Sequence, residues 1–162
     1  MSSRLSQAMI EIQRAAADAG TPADSQLQDW AIAALAAVRR DGDITLRLVD
    51  EHEMTRLNTD YRGKQGPTNV LSFPFEAPEG LPEAALPALL GDIIICPDVV
   101  SGEAEQQGKT HSAHWAHMVV HGVLHLCGYD HQAPADAEQM EALETDILGA
   151  AGFADPYTTE EA

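Results

Sequence analysis

The chain has 162 residues, of which 44% are hydrophobic, and this length and composition predict one domain with one hydrophobic core. Nine basic residues stand against 26 acidic ones, and the net charge of −17 argues against general, sequence-independent binding to nucleic acid or to an anionic membrane. A local basic patch is still compatible with this charge, because Arg56, Arg62 and Lys64 lie close together in the sequence.

The sequence also indicates the cellular compartment of the protein. No stretch approaches about 20 consecutive apolar residues, so no transmembrane helix is expected. No basic segment followed by an apolar core stands at the N-terminus, so we expect no secretory signal. Cys96 and Cys127 lack metal or redox spacing and suit a reducing cytosol as small buried side chains. Together these features predict a cytoplasmic protein with no membrane partner.

Hydrophobic periodicity and turn residues predict nine secondary-structure elements. In chain order they are a weak strand near residues 10–12, a helix from 24 or 25 to about 40, a strand over 43–49, a short helix over 50–58, strands over 70–75 and 93–95, and helices over 97–107, 110–127 and from 134 to 149 or 152.

These elements predict a single α+β domain over residues 1–162. In this fold a small mixed β-sheet packs against several helices, and a central helix carries the histidines, as the metal-binding helix of zincins does. The segment 76–90 contains three prolines and is predicted to be a surface loop and an insertion. The acidic tail, about residues 157–162, is predicted to be frayed.

The segment HGVLHLCGYDH, from His121 to His131, is the most informative part of the chain. His121 and His125 are four residues apart and would project from one face of a helix. Gly128 would end that helix and let the chain bring His131 to the same point. Three imidazoles bind Zn²⁺ and leave a fourth position open, as in catalytic sites. Asp130 would orient an imidazole through its second nitrogen or serve as a turn residue.

The same spacing of three histidines and a glycine occurs in metzincin peptidases. Those enzymes carry a general-base glutamate directly after the first histidine, and Gly122 stands there in this chain. The spacing therefore predicts the metal geometry of a zinc peptidase without its proton acceptor. The alternative for the whole segment is a set of helix and loop histidines that are satisfied by hydrogen bonds.

A second ligand set remains open. His114, His117, His121 and His125 form a stripe at spacings of three and four, so His117 and His121 are another possible pair. We prefer the set with His131 because only that set uses the glycine turn to close the site. His117 and His114 would then lie one and two turns before the metal, behind the ligands or facing the substrate, unless they belong to an ordinary polar helix face.

A second constellation lies in LNTDYRGKQGPTNVLSFPF, from Leu57 to Phe75. It places Arg62 and Lys64 beside a Gly-Pro-Thr turn. An arginine held over a metal site would bind phosphate oxygens through two parallel hydrogen bonds. The alternative is a solvated loop with incidental basic residues, and the residues alone do not decide between the two.

From about Ile44 to Tyr157 the chain resembles the YbeY family of bacterial metal-dependent endoribonucleases, which mature ribosomal RNA. The motifs that carry the resemblance are LN..YR, TNVLSFP at Thr68–Pro74, GDI at Gly91–Ile93, HWAHMVVHGVLHLCGYDH at His114–His131 and MEALE at Met140–Glu144. The resemblance implies that His121, His125 and His131 bind one zinc ion per chain and that Arg62 is a catalytic residue facing the RNA.

The resemblance further implies processing of the 3′ end of 16S ribosomal RNA and removal of defective ribosomes, with the small ribosomal subunit and its proteins as partners. Zinc would activate a water or a phosphoryl oxygen for cleavage of single-stranded RNA, and Arg62 would stabilise the charge that develops. The general base would be zinc-bound hydroxide, a histidine of the stripe or the RNA 2′-hydroxyl. Two other classes stay open, a zinc peptidase or amidase and a non-catalytic ribosome assembly factor with a metal-stabilised fold.

Overall fold

The computed structural model describes residues 9–15, 20–75, 80, 89–130 and 132–157. These ranges contain nine elements in the order that the sequence predicts. They are β1 (Ile10–Arg14), α1 (Asp24–Ala37), β2 (Asp43–Leu48), α2 (Glu51–Arg62), β3 (Val70–Pro74), β4 (Leu89–Ile95), α3 (Pro97–Gln107), α4 (His111–Leu126) and α5 (Pro134–Ala150).

The four strands form one mixed sheet in the order β1-β2-β4-β3. β1 pairs with β2 in parallel, and β2 pairs with β4 in parallel. Parallel neighbours need a crossover connection, which α1 supplies between β1 and β2. β3 runs antiparallel to β4 and lies at one edge of the sheet. The predicted α+β class with a small mixed sheet is confirmed.

Each face of the sheet carries its own hydrophobic cluster. Because successive residues of a strand point to opposite faces, Ile93 and Ile95 join the main core while Ile94 joins a smaller cluster. The main core contains residues of α1, α4 and α5, whereas the smaller cluster contains Met54 of α2. The helix α4 and the helix α2 therefore lie on opposite faces of the sheet, and the edge strand β3 separates them.

The histidine-bearing helix α4 is central to the fold, as predicted. It contacts α1, α3, α5, β3 and β4, and 11 of its 16 residues are buried. The hydroxyl of Thr110 caps its first turn by accepting the backbone N–H of Ala113 at 3.1 Å. Gly128, at φ +101, stands just past its last turn. Polar side chains on such a buried helix need hydrogen-bond partners within the protein.

Gly122 lets α4 pack closely against the sheet. A Cβ atom at this position would lie 2.9 Å from Cγ2 of Ile93 on β4. The carbonyl of Gly122 also accepts the hydroxyl of Ser72 on β3 at 3.2 Å. Position 122 therefore faces the sheet, and a glutamate side chain there would start with its Cβ against Ile93.

Three boundaries differ from the sequence predictions by three residues or more. α1 ends at Ala37 instead of about residue 40, and Arg39 beyond it adopts φ +57. α2 continues to Arg62, one turn past the predicted end at Asn58. Gly63 ends it in the left-handed conformation, where the N–H of Gly63 donates to the carbonyl of Thr59 and the N–H of Lys64 donates to the carbonyl of Asn58. β4 begins at Leu89 instead of residue 93, so the predicted loop over 76–90 is too long at its end. The rest of that loop, except Gly80, and the tail after residue 157 lie outside the described residues. Among the helices described, none has the length and apolar character needed to cross a membrane.

We expect Gly122→Ala to lower the free energy of unfolding by about 1–3 kcal/mol, because the new methyl group must displace Ile93 or the helix. Thermal denaturation followed by circular dichroism measures this, at roughly 2–4 °C per kcal/mol for a domain of this size. Gly102→Ala on α3 is the matched control: its Cβ meets no atom within 4 Å, and the change should stabilise the helix by about 0.5–1 kcal/mol. Equal melting temperatures for the two variants would contradict the close packing at Gly122.

Candidate active site

His121 and His125 lie on successive turns of α4 and border the same cleft. Their ring centroids are 4.9 Å apart, and both side chains line a cavity of about 660 Å³. His131 lies outside the described residues, so the meeting of all three histidines stays a prediction. In the part of the chain that the structure describes, which lacks His131, no group of three or more His, Cys, Asp or Glu residues is arranged to hold a metal ion.

The cleft runs along the edge of the sheet that β3 forms. The end of α2 contributes Tyr61 and Arg62 to one wall, and α4 contributes the two histidines to the other. Between them the six consecutive residues 68–73 line the cleft, as expected where the edge of a strand borders it. Gln132 completes the lining that lies within the described ranges.

The described lining of the cleft has a charge that contrasts with the rest of the chain. The chain carries 26 acidic residues, yet no Asp or Glu is among the described residues that line the cleft. Arg62 is exposed and supplies a permanent positive charge there. This surface therefore favours an anionic ligand within an otherwise acidic protein.

The backbone after Arg62 is fixed by its own turn. Asn58 is 4% exposed, and its side-chain N–H donates to the carbonyl of Gly66 at 2.9 Å. The hydroxyl of Thr59 donates to the carbonyl of Lys64 at 3.0 Å. These bonds set the position of the last turn of α2, which carries Arg62. Lys64 is exposed in this turn but does not line the cleft.

Glu144 of α5 is a fully buried carboxylate that binds two histidines of α4. Its Oε2 lies 2.6 Å from Nδ1 of His121, and its Oε1 lies 2.9 Å from Nε2 of His117. The hydroxyl of Tyr157 donates to the same Oε1. A buried charge needs such partners, because leaving one unpaired costs several kcal/mol.

The protonation states follow from this arrangement. Burial raises the pKa of Glu144, but hydrogen bonds from His117, His121 and Tyr157 and the charge of His121 outweigh it and lower the pKa to about 2. The carboxylate is therefore ionised at neutral pH and can only accept hydrogen bonds. Burial and the bond to this carboxylate raise the pKa of Tyr157, so its hydroxyl keeps its proton.

An ionised Glu144 sets the tautomer of His121. Nδ1 of His121 carries the hydrogen that it donates to Glu144, so in the neutral form of the ring the lone pair is on Nε2. A carboxylate that holds one ring nitrogen is the usual partner of a histidine that binds a metal through the other. His117, by contrast, directs Nε2 to Glu144 and does not line the described cleft, which disfavours the alternative pair of His117 with His121.

His114 belongs to a separate network. Its Nε2 lies 2.8 Å from Oε1 of Glu103 on α3, and the side-chain N–H of Asn69 donates to both oxygens of Glu103 at 3.1 and 3.2 Å. Burial lowers the pKa of His114 against the opposing effect of Glu103. Asn69 lines the cleft and His114 does not, so His114 is connected to the cleft wall through its hydrogen bond to Glu103.

Asp130 shows the geometry of a turn residue. Its Oδ1 accepts the backbone N–H of Gln132, two residues on, at 3.2 Å. His131 lies outside the described residues, so a contact between the two side chains stays a prediction.

Three residues of these networks, Glu144, Tyr157 and Glu103, are not among the residues that the sequence predicts for the site. A signal for Glu144 was present, because it shares the apolar spacing of the inner face of α5. That face carries the buried residues Met140, Glu144, Ile147 and Leu148. A carboxylate in such a stripe indicates a buried partner that is positively charged or donates a hydrogen bond. Neither Tyr157 nor Glu103 stands in a comparable pattern.

Comparisons with known proteins give matches over most of the chain. A family model described as Endoribonuclease YbeY matches residues 11–152. The solution structure of TM1509 from Thermotoga maritima has a similar fold, with a TM-score of 0.55 and 26% sequence identity. That likeness covers 93% of this chain and 99% of the other.

We expect Glu144→Gln to change the acid stability of the protein stripped of metal by a chelator. A pKa lowered from 4.5 to about 2 stabilises the folded state fully above pH 4.5, and this contribution is lost as the pH falls toward 2. It amounts to roughly 3 kcal/mol, so the free energy of unfolding should fall more steeply in the wild type than in the variant. Urea denaturation at several pH values measures the difference. Glu141→Gln changes an exposed carboxylate on the same helix, so its free energy of unfolding should depend on pH as in the wild type. The same pH dependence in all three proteins would contradict the lowered pKa of Glu144.

Proposed function

Since this chain belongs to the YbeY endoribonuclease family, we propose that it is a zinc-dependent enzyme that cuts single-stranded RNA and processes the 3′ end of 16S ribosomal RNA. Membership of the family makes it an endoribonuclease that acts in ribosomal RNA maturation. The zinc, the 16S site and a role in ribosome quality control belong to the proposal. So do the cytoplasmic location and the association with the small ribosomal subunit and its proteins.

The observation that carries the proposal is the joint placement of His121, His125 and Arg62 around one cleft with no described carboxylate. Phosphodiester cleavage builds negative charge on the phosphate, and an arginine beside it lowers the energy of that state. Arg62 binds the phosphate oxygens through its planar guanidinium group and holds the RNA in position for reaction.

The donor set suits zinc, with His131 proposed as the third ligand beside His121 and His125. Imidazoles at an i, i+4 spacing are common zinc ligands, and Glu144 holds His121 in the tautomer that binds through Nε2. Zinc bound there supplies a Lewis acid for the phosphate and for an attacking oxygen. Glu144 would orient His121 from the buried side of α4.

The geometry narrows the choice of general base. His117 and His114 each bind a carboxylate behind the cleft, which disfavours a base role for the histidine stripe. Gly122 faces Ile93, which disfavours the peptidase alternative because that chemistry places a glutamate at this position. A water-derived hydroxide would then either attack the phosphorus itself or accept the proton of an attacking 2′-hydroxyl of the RNA.

We expect the purified protein to hold about one zinc ion per chain and to lose it in His121→Ala, His125→Ala and His131→Ala. Mass spectrometry of the metal content measures this, and circular dichroism shows which variants fold. His117→Ala is the control: it should keep zinc at saturating concentration, because its ring faces Glu144. Zinc retained by His131→Ala but lost from His117→Ala would mean that the zinc site lies closer to the start of α4. No zinc in any preparation, even after it is added back, would overturn the zinc-dependent enzyme.

We expect Arg62→Ala to lower kcat/KM for single-stranded RNA by about 10²–10³-fold while the zinc content stays unchanged. Arg56→Ala is the matched control, since Arg56 is exposed on the same helix and does not line the cleft. Gel assays give the rates, and mass spectrometry of the product ends identifies the attacking oxygen. A 2′,3′-cyclic phosphate indicates the 2′-hydroxyl, and a 5′-phosphate indicates water. Wild-type rates in Arg62→Ala would contradict its assigned role.

A further inference from the structure

We propose that Tyr61, supported by Phe73, is a stacking platform for an unpaired nucleobase of the RNA substrate. This inference rests on the proposed function, because it names how the same cleft recognises single-stranded RNA. Tyr61 immediately precedes Arg62 on α2 and lines the same cleft.

Tyr61 is a large aromatic residue that the fold leaves in solvent. Its exposed fraction is 67%, although large apolar surface is usually buried. The exposed large hydrophobic residues of the described part are Met9, Tyr61, Phe75 and Tyr157, and among these Tyr61 alone lines the cleft. An exposed aromatic beside a candidate phosphate-binding arginine indicates a ligand that has both a flat ring and a phosphate.

Phe73 holds the tyrosine ring in one orientation. The two ring centroids are 5.2 Å apart, and the ring planes meet at 69°, an edge-to-face contact. Phe73 is anchored on β3, packed against the smaller core cluster beneath α2. A ring fixed by an edge contact still presents a face, and this lowers the entropy lost when a base stacks on it.

The charge of the chain favours a contact with RNA that does not depend on electrostatic attraction. With a net charge of −17, long-range attraction to RNA is weak, and Arg62 alone supplies fixed positive charge among the described lining residues. Stacking on an aromatic ring contributes about 1–3 kcal/mol per base and does not depend on net charge. It also requires a base that is free of a duplex, so it selects single-stranded RNA.

The binding test uses the wild type, Tyr61→Leu and Tyr61→Phe with an oligoribonucleotide that carries 2-aminopurine and 2′-O-methyl riboses, its integrity checked on a gel. Stacking quenches 2-aminopurine fluorescence, so we expect quenching by the wild type and by Tyr61→Phe. Tyr61→Leu keeps an apolar contact with Phe73 but has no flat face, and we expect it to lose the quenching. Phe75→Ala is the matched control, because Phe75 is an exposed aromatic just after β3 that does not line the cleft.

The kinetic test measures cleavage of unmodified single-stranded RNA. We expect Tyr61→Leu to raise KM roughly tenfold or more with little change in kcat, while Tyr61→Phe and Phe75→Ala stay near the wild type. An abasic nucleotide at the stacked position should raise KM for the wild type and have little further effect on Tyr61→Leu.

The outcomes separate the two proposals. If the wild type cleaves RNA and Tyr61→Leu matches it in KM and in quenching, the stacking platform is wrong and the proposed function stands. If the zinc-loaded wild type cleaves no RNA, the proposed function fails, and the quenching experiment still decides whether Tyr61 stacks on a base. A loss of kcat alone in Tyr61→Leu would also overturn the platform, because it would mean that Tyr61 acts on the reaction instead of on binding.

Discussion

The pairing of Glu144 with His117 and His121 is the interaction on which the site depends. A buried helix such as α4 can carry histidines only if each finds a partner, and one carboxylate of α5 serves two of them. The same contact joins α5 to α4, so the orientation of His121 and the packing of the two helices are set together. Tyr157 adds a third hydrogen bond, to the same carboxylate oxygen that His117 contacts. A change at this carboxylate would therefore alter the core and the cleft at once.

The sequence predicts the parts of this fold whose signal is local. The helical spacing in α4 and the alternation in β2 are encoded within a few residues, and each is found where it is expected. The extra turn of α2 was missed because its residues are polar and carry no helical apolar pattern, whereas Gly63 decides where it ends. The early start of β4 was missed because Leu89 and Leu90 follow a proline-rich segment that indicates a loop.

The candidate site could likewise be predicted in part from the sequence. Spacing and the family motifs predict His121, His125 and Arg62 as site residues, and all three line one cleft. The contacts of Glu144 could not be predicted, because the bonded residues are 23 and 27 positions apart and depend on how two helices cross. His131 remains a prediction, since its placement lies outside the described residues.

The position of the cleft follows from the topology of the sheet. α4 and α2 cover opposite faces, so side chains of both helices can meet only where the sheet ends, at the edge strand β3. An edge strand exposes unpaired backbone groups, and a protein must cover them or use them. Here Arg62 and Tyr61 reach that edge from one face while His121 and His125 reach it from the other. The close packing at Gly122 holds α4 against β4 and β3, so the strand that separates the two groups also fixes the distance between them.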